Sequence, residues 1–348
     1  MAYIHHLNGF YDDFVFGDPD SENTISGFGR GNDTLLGGNR NDVFQLATDR
    51  SIDLVDGGGG RDRIEFTGGP AGLRIDLQSG IVEQYRDITS YDDQESVYGW
   101  EEVALLINIE DVRGSAFNDS ILGSAADNTI EGGYGADSIN GAGGNDTASY
   151  EHSSAGVTVD LGGWSPFNDA LGPVGSGSGG DAEGDVLISI ENVTGSFYDD
   201  RFSGNSANNV FNGGGGLDRV SYRDAEEGVA INLQTGSVQG GQSVGHDTLI
   251  SIEYVEGSRF NDTYEASNRS DVFVFGRNIG HDTVDGFNAR DTDSGHDFIS
   301  FEGVYSSWDE LSQHITRNGN DWTITIDEHN SITLTDVQGT LNVNDFFY

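Results

Sequence analysis

Short segments of alternating apolar and polar residues recur along the chain and fall into about three long repeats. Residues 72–77, 156–161 and 228–233 share one alternating pattern, which predicts a β-strand with its apolar side chains facing inward. Each strand leads through a loop to a second apolar segment, at 106–110, 187–191 or 249–253. The loops differ in length and sequence, as expected of excursions from a fixed scaffold.

A nine-residue pattern overlies these strands: Gly-Gly-x-Gly-x-Asp-x, then one apolar residue and one variable residue. The pattern is complete at 57–65, 132–140 and 213–221. Each copy predicts a tight turn that carries one carboxylate, followed by a short strand with a single inward apolar residue. The glycines are needed because such a turn uses positive φ and brings backbone carbonyls close to their neighbours.

Degenerate copies surround the complete ones and keep an acid or an amide at the sixth position. In the copies at 8–16, 114–122, 195–203 and 257–265, an aromatic residue replaces the fourth-position glycine. Alternate sixth positions are 18 residues apart, as in Asp119 and Asp137 or Asp200 and Asp218. Two nonapeptides are therefore expected to form one turn of a solenoid, with every second repeat on the same side.

Stacked strands lie about 4.8 Å apart, so the sixth-position oxygens on one side come within reach of a single hard cation. Calcium prefers such a mixture of carboxylate, amide and carbonyl oxygens. The competing interpretation is that Gly-Asx turns only punctuate the solenoid. The predicted calcium ligands are Gly31, Asp33, Asp42, Gly57, Gly58, Gly60, Asp62, Asp119, Asn128, Gly132, Gly133, Gly135, Asp137, Gly141, Gly144, Asp146, Asp200, Asn209, Gly213, Gly214, Gly216, Asp218, Asp262, Asp271 and Asp282.

In its nonapeptides and their degenerate copies, the chain resembles the RTX (repeats-in-toxin) family of hemolysin-type calcium-binding repeat proteins over most of residues 8–300. The resemblance implies an all-β, right-handed parallel β-roll, or β-solenoid, with calcium ions in the nonapeptide turns. It also implies calcium-dependent folding, export by the type I secretion machinery and an extracellular location. We therefore divide the chain into an RTX-type roll at 1–275 and a C-terminal capping region at 276–348.

The composition favours a cation-binding protein and excludes several other classes. Lysine and arginine total 16 against 59 acidic residues, a formal net charge of -43, and a compact chain of that charge repels itself unless cations bind. The same charge disfavours nucleic acid as a partner. The sequence has neither lysine nor cysteine, which excludes Schiff-base catalysis, thiolate metal sites and disulfides. No apolar run approaches the ~20 residues of a membrane span.

The C-terminal region has a different pattern. Ser307 and Glu310 are spaced as a capping box, for a helix with Trp308, Leu311 and Ile315 on one face. Residues 322–334 predict a hairpin, and the helix and hairpin together are expected to cap the roll. The last four residues, an aspartate followed by Phe-Phe-Tyr, resemble the C-terminal signal of type I secretion substrates, although a capping strand would have the same pattern.

Catalytic motifs are absent from the sequence. It contains no His-Glu-x-x-His, no Gly-x-Ser-x-Gly elbow, no P-loop and no dinucleotide fingerprint, and its eight histidines are not at metal-ligand spacing. One excursion gathers aromatic residues that could stack on sugar rings and an arginine that could pair with a uronate. These side chains could equally cover the flank of the solenoid. The residues are Tyr85, Arg86, Tyr91, Tyr98 and Trp100.

Three functions are compatible with these observations. The first is a secreted calcium-binding protein without a catalytic site, acting at a cell surface, in an extracellular matrix or on a polysaccharide. The second is a polysaccharide-modifying enzyme on the same solenoid, either a uronate lyase or an enzyme like a mannuronan C5-epimerase. Such active sites need a basic groove, and this chain has few arginines. The third is an auxiliary carbohydrate-binding module that uses the 85–100 excursion.

Overall fold

The computed structural model describes residues 2–5, 12–27, 31–49, 51–88, 97–162, 174–290 and 295–348. Nearly all regular structure in this part of the chain is β. The predicted ligand residue Tyr91 lies outside the described residues. No helix among the described residues has both the length and the apolar character needed to cross a membrane.

The strands are short, most of them three to five residues long. Up to residue 188 they are β1 (Ala2–His5), β2 (Phe14–Phe16), β3 (Asn23–Gly27), β4 (Thr34–Gly38), β5 (Val43–Ala47), β6 (Asp53–Gly58), β7 (Arg63–Gly68), β8 (Leu73–Asp76), β9 (Ile81–Asp87), β10 (Tyr98–Ile107), β11 (Asp111–Arg113), β12 (Ser120–Leu122), β13 (Thr129–Glu131), β14 (Ser138–Asn140), β15 (Thr147–Ser149), β16 (Thr158–Asp160), β17 (Val174–Ser178) and β18 (Val186–Ile188). Beyond it they are β19 (Asn192–Thr194), β20 (Arg201–Ser203), β21 (Val210–Asn212), β22 (Arg219–Ser221), β23 (Ala230–Asn232), β24 (Ser237–Gln239), β25 (His246–Ile250), β26 (Tyr254–Glu256), β27 (Thr263–Glu265), β28 (Val272–Phe275), β29 (His281–Asp285), β30 (Asn288–Ala289), β31 (Phe298–Phe301), β32 (Ile315–Asn318), β33 (Asp321–Thr325), β34 (Ser331–Thr335), β35 (Gln338–Gly339) and β36 (Phe346–Phe347). The helices are α1 (Trp308–Leu311) and three 3-10 turns, Gly180–Ala182, Ser312–His314 and Val343–Asp345.

The chain forms two compact units, and the first comprises Met1–Val157 and Gly163–Asn192. One of its sheets is a parallel ladder in the order β1, β3, β5, β7, β11, β13 and β15. Two further parallel ladders are formed by β2, β4, β6 and β10, and by β8, β12, β14 and β18. The excursion before residue 106 is an antiparallel hairpin of β9 and β10.

The second unit comprises Thr158–Gly162 and Val193–Tyr348. Here β16, β20, β22, β26, β28, β31 and β36 form one parallel ladder. The strands β23, β27, β29 and β34 form another, and β21 pairs in parallel with β25. Both units therefore have the parallel all-β architecture that the nonapeptide predicts.

Each short strand contributes one central side chain to the core. Ile121 and its neighbour Ile139 are 1% and 0% exposed, and they face each other across adjacent strands 18 residues apart. The N-terminal strands use a longer turn, because Val15, Leu35 and Val55 pair at intervals of 20 residues. The predicted 18-residue turn thus holds for the complete copies at 132–140 and 213–221, whereas the complete copy at 57–65 follows a 20-residue turn.

The C-terminal hairpin forms as predicted, with Ile324 opposite Ile332 in β33 and β34. The helix is shorter than its pattern indicates. Ser307 caps it by accepting the N–H of Glu310, but the side chain of Glu310 bonds to Ser306 instead of completing the predicted box. Ile315, expected on the helix, begins β32, which extends the hairpin to three strands.

Candidate metal centre

Successive turns are linked by hydrogen bonds between their sixth-position residues. Oδ1 of Asp137 accepts a bond of 2.8 Å from the N–H of Asp119, and Oδ1 of Asp218 accepts one of 2.8 Å from the N–H of Asp200. The same bond joins Asp62 to Asp42 and Asp146 to Asn128, at 2.7 Å in both cases. Each carboxylate thus uses one oxygen to hold the adjacent turn, and its second oxygen determines what else the turn can bind.

Four of these aspartates keep a buried carboxylate oxygen that accepts no hydrogen bond. The residues are at most 1% exposed, and their Oδ2 atoms have no partner within the protein. An ionised oxygen in such a place is costly unless a cation compensates it. We call these the open turns, and their aspartates are Asp62, Asp137, Asp146 and Asp218.

In a second class of turn, a serine at the second position satisfies both carboxylate oxygens. Oδ2 of Asp119 accepts the Ser115 N–H at 2.5 Å, and Oδ1 accepts the Ser115 hydroxyl at 2.8 Å. We call these the closed turns, because both carboxylate oxygens already accept hydrogen bonds from the serine. The other serine-closed pairs are Ser196 with Asp200, Ser258 with Asp262, and Ser267 with Asp271.

Three further sixth positions are closed by the backbone of the second residue. Asp42 Oδ2 accepts the Gly38 N–H at 2.7 Å, and Asn128 Oδ1 accepts the Ser124 N–H at 2.7 Å. Asn209 Oδ1 likewise accepts the N–H of the second residue of its turn, at 3.1 Å. These predicted ligands therefore occupy the sixth position as expected but direct an oxygen into the protein's own backbone.

The backbone at the second position distinguishes the two classes. In the open turns this residue has positive φ, from 71° at Ala142 to 95° at Gly133. The N–H of Ala142 then points away from the aspartate and donates to the Asn140 side chain at 3.0 Å. Serine disfavours positive φ, so a Gly-Ser sequence gives a closed turn, whereas Gly-Gly permits an open one.

The first glycine of an open turn leaves room beside the unpaired oxygen. A Cβ built on Gly132 would lie 2.1 Å from Asp137 Oδ2, and one built on Gly213 would lie 2.2 Å from Asp218 Oδ2. The Gly213 Cβ would also lie 2.3 Å from the carbonyl oxygen of Ser251. Carboxylate and carbonyl oxygens therefore converge on one point, which fits the oxygen coordination of calcium.

Residues 113–148 and 190–222, which contain three of the four open turns, match the family model of the RTX calcium-binding nonapeptide repeat in four copies. The chain contains RTX repeats. This confirms the resemblance seen in the nonapeptides, and with the parallel strands it confirms the β-roll fold. The matched repeats are described as calcium-binding, so calcium is the cation that repeats of this type bind.

Among solved structures, the crystal structure of the extracellular lipase LipA from Serratia marcescens is similar to this chain, with 14% identity and a TM-score of 0.25. The similarity covers 98% of this chain but 39% of the lipase chain. At that TM-score it carries no inference about the activity of this chain. No curated protein matches the chain.

Burial raises the pKa of every open-turn aspartate. The pKa rises to about 8 for Asp137, to about 7 for Asp62 and Asp218, and to about 6 for Asp146. Loss of hydration is the largest cause, and nearby carboxylates add to it, whereas the N–H that donates to Oδ1 acts in the opposite direction. The open-turn aspartates of the folded chain therefore keep their protons to a higher pH than exposed aspartates do.

Some ladder positions were missed by sequence reasoning. Asp185, for example, accepts the N–H of Asp137 at 2.8 Å, although 48 residues separate the two. The 18-residue interval between sixth positions is lost where an excursion or a longer turn intervenes. Each of these ladder positions can still be recognised, because its aspartate comes two residues before an inward apolar residue. The missed residues are Asp53, Asp185, Asp247 and Asp297, which continue the ladders of Asp33, Asp137, Asn209 and Asp271.

The remaining predicted ligands near the two ends of the roll also lie on ladders. Asp33 Oδ1 accepts the N–H of Asp13 at 2.8 Å, and Gly31 in the same turn is buried. Asp282 Oδ1 accepts the N–H of Asp262 at 2.8 Å, and its Oδ2 lacks a partner, as in the open turns.

One further group has metal-ligating atoms close together, in contrast to the expectation from histidine spacing. Ligand atoms of Glu131, Glu151 and His152 lie within 4.8 Å of one another. Arg113 is 3.0 Å from Glu131, and Arg63 is 3.4 Å from Glu151. Because these arginines already neutralise the carboxylates, the cluster is an ion-pair network.

The β9–β10 hairpin presents the predicted aromatic residues on the surface. Tyr85, Tyr98 and Trp100 are 46%, 57% and 39% exposed, and the Tyr85 ring lies 6.2 Å from Tyr98 and 5.5 Å from Trp100. Arg86 is mostly buried and bonds to the Asp49 carbonyl and to Gln84, and it lines the cavity beside Tyr85 and Tyr98. Arg74 lies 4.2 Å above the Trp100 ring. We call Tyr85, Tyr98 and Trp100 the aromatic face.

Proposed function

We propose that this protein acts outside the cell and that its RTX roll folds when calcium binds the open turns. The observation that carries the proposal is the buried Oδ2 atom without a partner in each of the four open turns. Calcium would neutralise these oxygens and part of the net charge of -43. Without it, burying the aspartates opposes folding, because each one must either stay charged in a dry environment or take up a proton.

The calcium dependence suits an exported protein. Extracellular calcium modules bind at about 0.1–1 mM, so the sites would stay empty in a cytosol and fill outside. RTX repeats are typical of secreted proteins, which supports this order of events. The chain would then pass the type I exporter unfolded and fold after release.

A calcium titration followed by far-UV circular dichroism tests the proposal. We expect β-structure to appear as calcium is added to the purified chain and to disappear with EDTA, with magnesium at the same ionic strength as the control. A β-fold of equal stability in excess EDTA would refute calcium-coupled folding.

We further propose that residues 276–348 form the capping and export region of the protein. The β33–β34 hairpin and the terminal strand β36 support the capping role, since Phe346 of β36 is 5% exposed and pairs with Ile299. Deleting this region should impair both folding and secretion from a host with a matching exporter. Normal secretion of the shortened chain would refute the export role.

The aromatic face supports association with a polysaccharide as a second element of function. The rings of Tyr85 and Tyr98 border a cavity of about 1000 Å³ that is also lined by Asp49, Gln84, Arg86 and Asp87. Rings and polar groups in such a cavity suit stacking on a pyranose. We expect Tyr98→Ala to weaken retention on polysaccharide columns, with Phe260→Ala, an exposed aromatic of the second unit, as the control. Equal retention would refute a carbohydrate site here, and release of reducing ends from polyuronates would favour the enzyme alternative.

A further inference from the structure

Three of the four open turns face a glutamate from the segment that returns after an excursion. In the first copy, Oε2 of Glu110 accepts a hydrogen bond of 2.9 Å from the N–H of Asp62. Glu110 thus takes the ladder position that a sixth-position aspartate holds elsewhere, although it lies outside any nonapeptide. The two other copies are Glu191 on Asp146 at 2.9 Å and Glu253 on Asp218 at 3.0 Å.

Two residues before each glutamate, the backbone turns a carbonyl oxygen toward the same point. Asn108 has a φ of 50°, and a Cβ built on Gly57 would lie 2.1 Å from its carbonyl oxygen and 2.4 Å from Asp62 Oδ2. A residue other than glycine holds such a φ only where the surrounding structure imposes it. The equivalents are Ser189, with φ 50°, beside Gly141 and Ser251, with φ 51°, beside Gly213.

Each arrangement contains an unpaired and fully buried carboxylate oxygen. Asp62 is 1% exposed, Asp146 and Asp218 are 0% exposed, and the Oδ2 atom of each accepts no hydrogen bond. A carboxylate has two oxygens with about four acceptor positions, so a glutamate can accept the backbone N–H and also ligate a cation. The same geometry in three separate repeats indicates a common ligand.

We propose that each of these glutamates is a calcium ligand and that each completes a composite site at the end of an excursion. A site combines the open-turn aspartate, the glutamate and the left-handed carbonyl, a set of hard oxygens that suits calcium. The ion fastens the returning segment to the roll. The proposal rests on calcium binding by the open turns and adds a ligand that the nonapeptide does not contain. The three sites are Asp62–Glu110–Asn108, Asp146–Glu191–Ser189 and Asp218–Glu253–Ser251.

Replacing the three glutamates by glutamine tests the proposal, because glutamine keeps an oxygen that accepts the aspartate N–H but loses the charge. By isothermal titration with calcium chloride, we expect the E110Q/E191Q/E253Q chain to bind three ions at least about 10-fold more weakly than the unmodified chain. The control variant E102Q/E226Q/E328Q removes the same charge from exposed glutamates and should titrate like the unmodified chain.

Two outcomes separate this proposal from the broader one. If the unmodified chain binds calcium and the triple variant titrates like the control, the glutamates are structural and this proposal is wrong. If the unmodified chain binds no calcium, calcium-coupled folding is wrong as well. The single variant E110Q, which should weaken one ion, provides the same test should the triple variant fail to fold.

Discussion

The clearest test of the open-turn assignment is Asp137→Asn, because the structure predicts opposite effects with and without calcium. Asparagine keeps the oxygen that accepts the Asp119 N–H and removes the ionisable group. The pKa of Asp137 is raised from 3.8 to about 8. The folded chain without calcium therefore binds a proton at pH 7 that the unfolded chain does not.

That proton uptake costs the calcium-free fold about 4 kcal/mol at pH 7, since each unit of pKa difference corresponds to about 1.4 kcal/mol. The substitution removes this cost, but it buries an amide NH2 group without a hydrogen-bond acceptor, which destabilises the fold by about 1–3 kcal/mol. The free energy of unfolding in EDTA should therefore rise by about 1–3 kcal/mol. The gain that calcium adds should fall by about 3 kcal/mol if one ion at 100 times its dissociation constant is lost.

Circular dichroism measures both quantities, by urea denaturation in excess calcium and by osmolyte-induced folding in EDTA, where the chain is expected to be unfolded. The control is Asp119→Asn, in a closed turn whose oxygens already accept bonds from Ser115. It should leave the calcium-dependent gain unchanged. If Asp137→Asn and Asp119→Asn reduce that gain equally, the distinction between open and closed turns is wrong.

Other predictions follow from the same geometry. When the chain is first folded with an osmolyte, calcium binding at pH 7 should release protons, because open-turn carboxyls with pKa values of about 6 to 8 must ionise; titration in buffers of different ionisation heat counts the protons, and no release would contradict the burial argument. Without calcium, the free energy of unfolding should fall as the pH rises from 5 to 8, since these raised pKa values make the folded chain bind more protons than the unfolded chain; a free energy that rises with pH in the osmolyte experiment would contradict this. Gly141→Ala should raise the calcium concentration needed for folding, because the new Cβ would lie 2.4 Å from Asp146 Oδ2. Gly143→Ala is the control, since its Cβ would meet nothing within 4 Å. Equal midpoints for the two variants in calcium titrations followed by circular dichroism would refute this. Phe346→Ser should lower stability by roughly 3 kcal/mol, because the side chain is buried, whereas serine at the exposed Phe347 and Tyr348 should impair export alone; a stability loss from the exposed pair would contradict that division.

The periodic part of the fold could be predicted from the sequence. One inward apolar residue per nonapeptide and the 18-residue interval of Asp119 and Asp137 suffice to predict parallel stacked strands, and Ser120 pairs with Ser138 as that interval requires. The 20-residue turns that join Asp13, Asp33 and Asp53 were not predicted, because the glycines that mark the interval are degenerate there.

The positions of the Gly-Asx turns could be predicted from the sequence, but the division into open and closed turns could not. Sequence reasoning placed Asp119 and Asp137 together, yet their different chemistry depends on the φ of the second turn residue and the hydroxyl of Ser115. Glu110 was missed for another reason. It comes after an excursion, and its relation to Asp62 exists only once the chain has returned to the roll.

The hydrogen bond that links two successive ladder residues has nearly the same length whatever number of residues lies between them. Asp119 and Asp137 are 18 residues apart, Asn209 and Asp247 are 38 apart and Asp137 and Asp185 are 48 apart, yet all three bonds are 2.8 Å long. Closing a longer loop costs little additional entropy. Foreign segments could therefore be grafted between ladder positions while the metal-binding frame stays the same. Binding specificity and calcium-dependent stability can then be varied independently, by selection or by design.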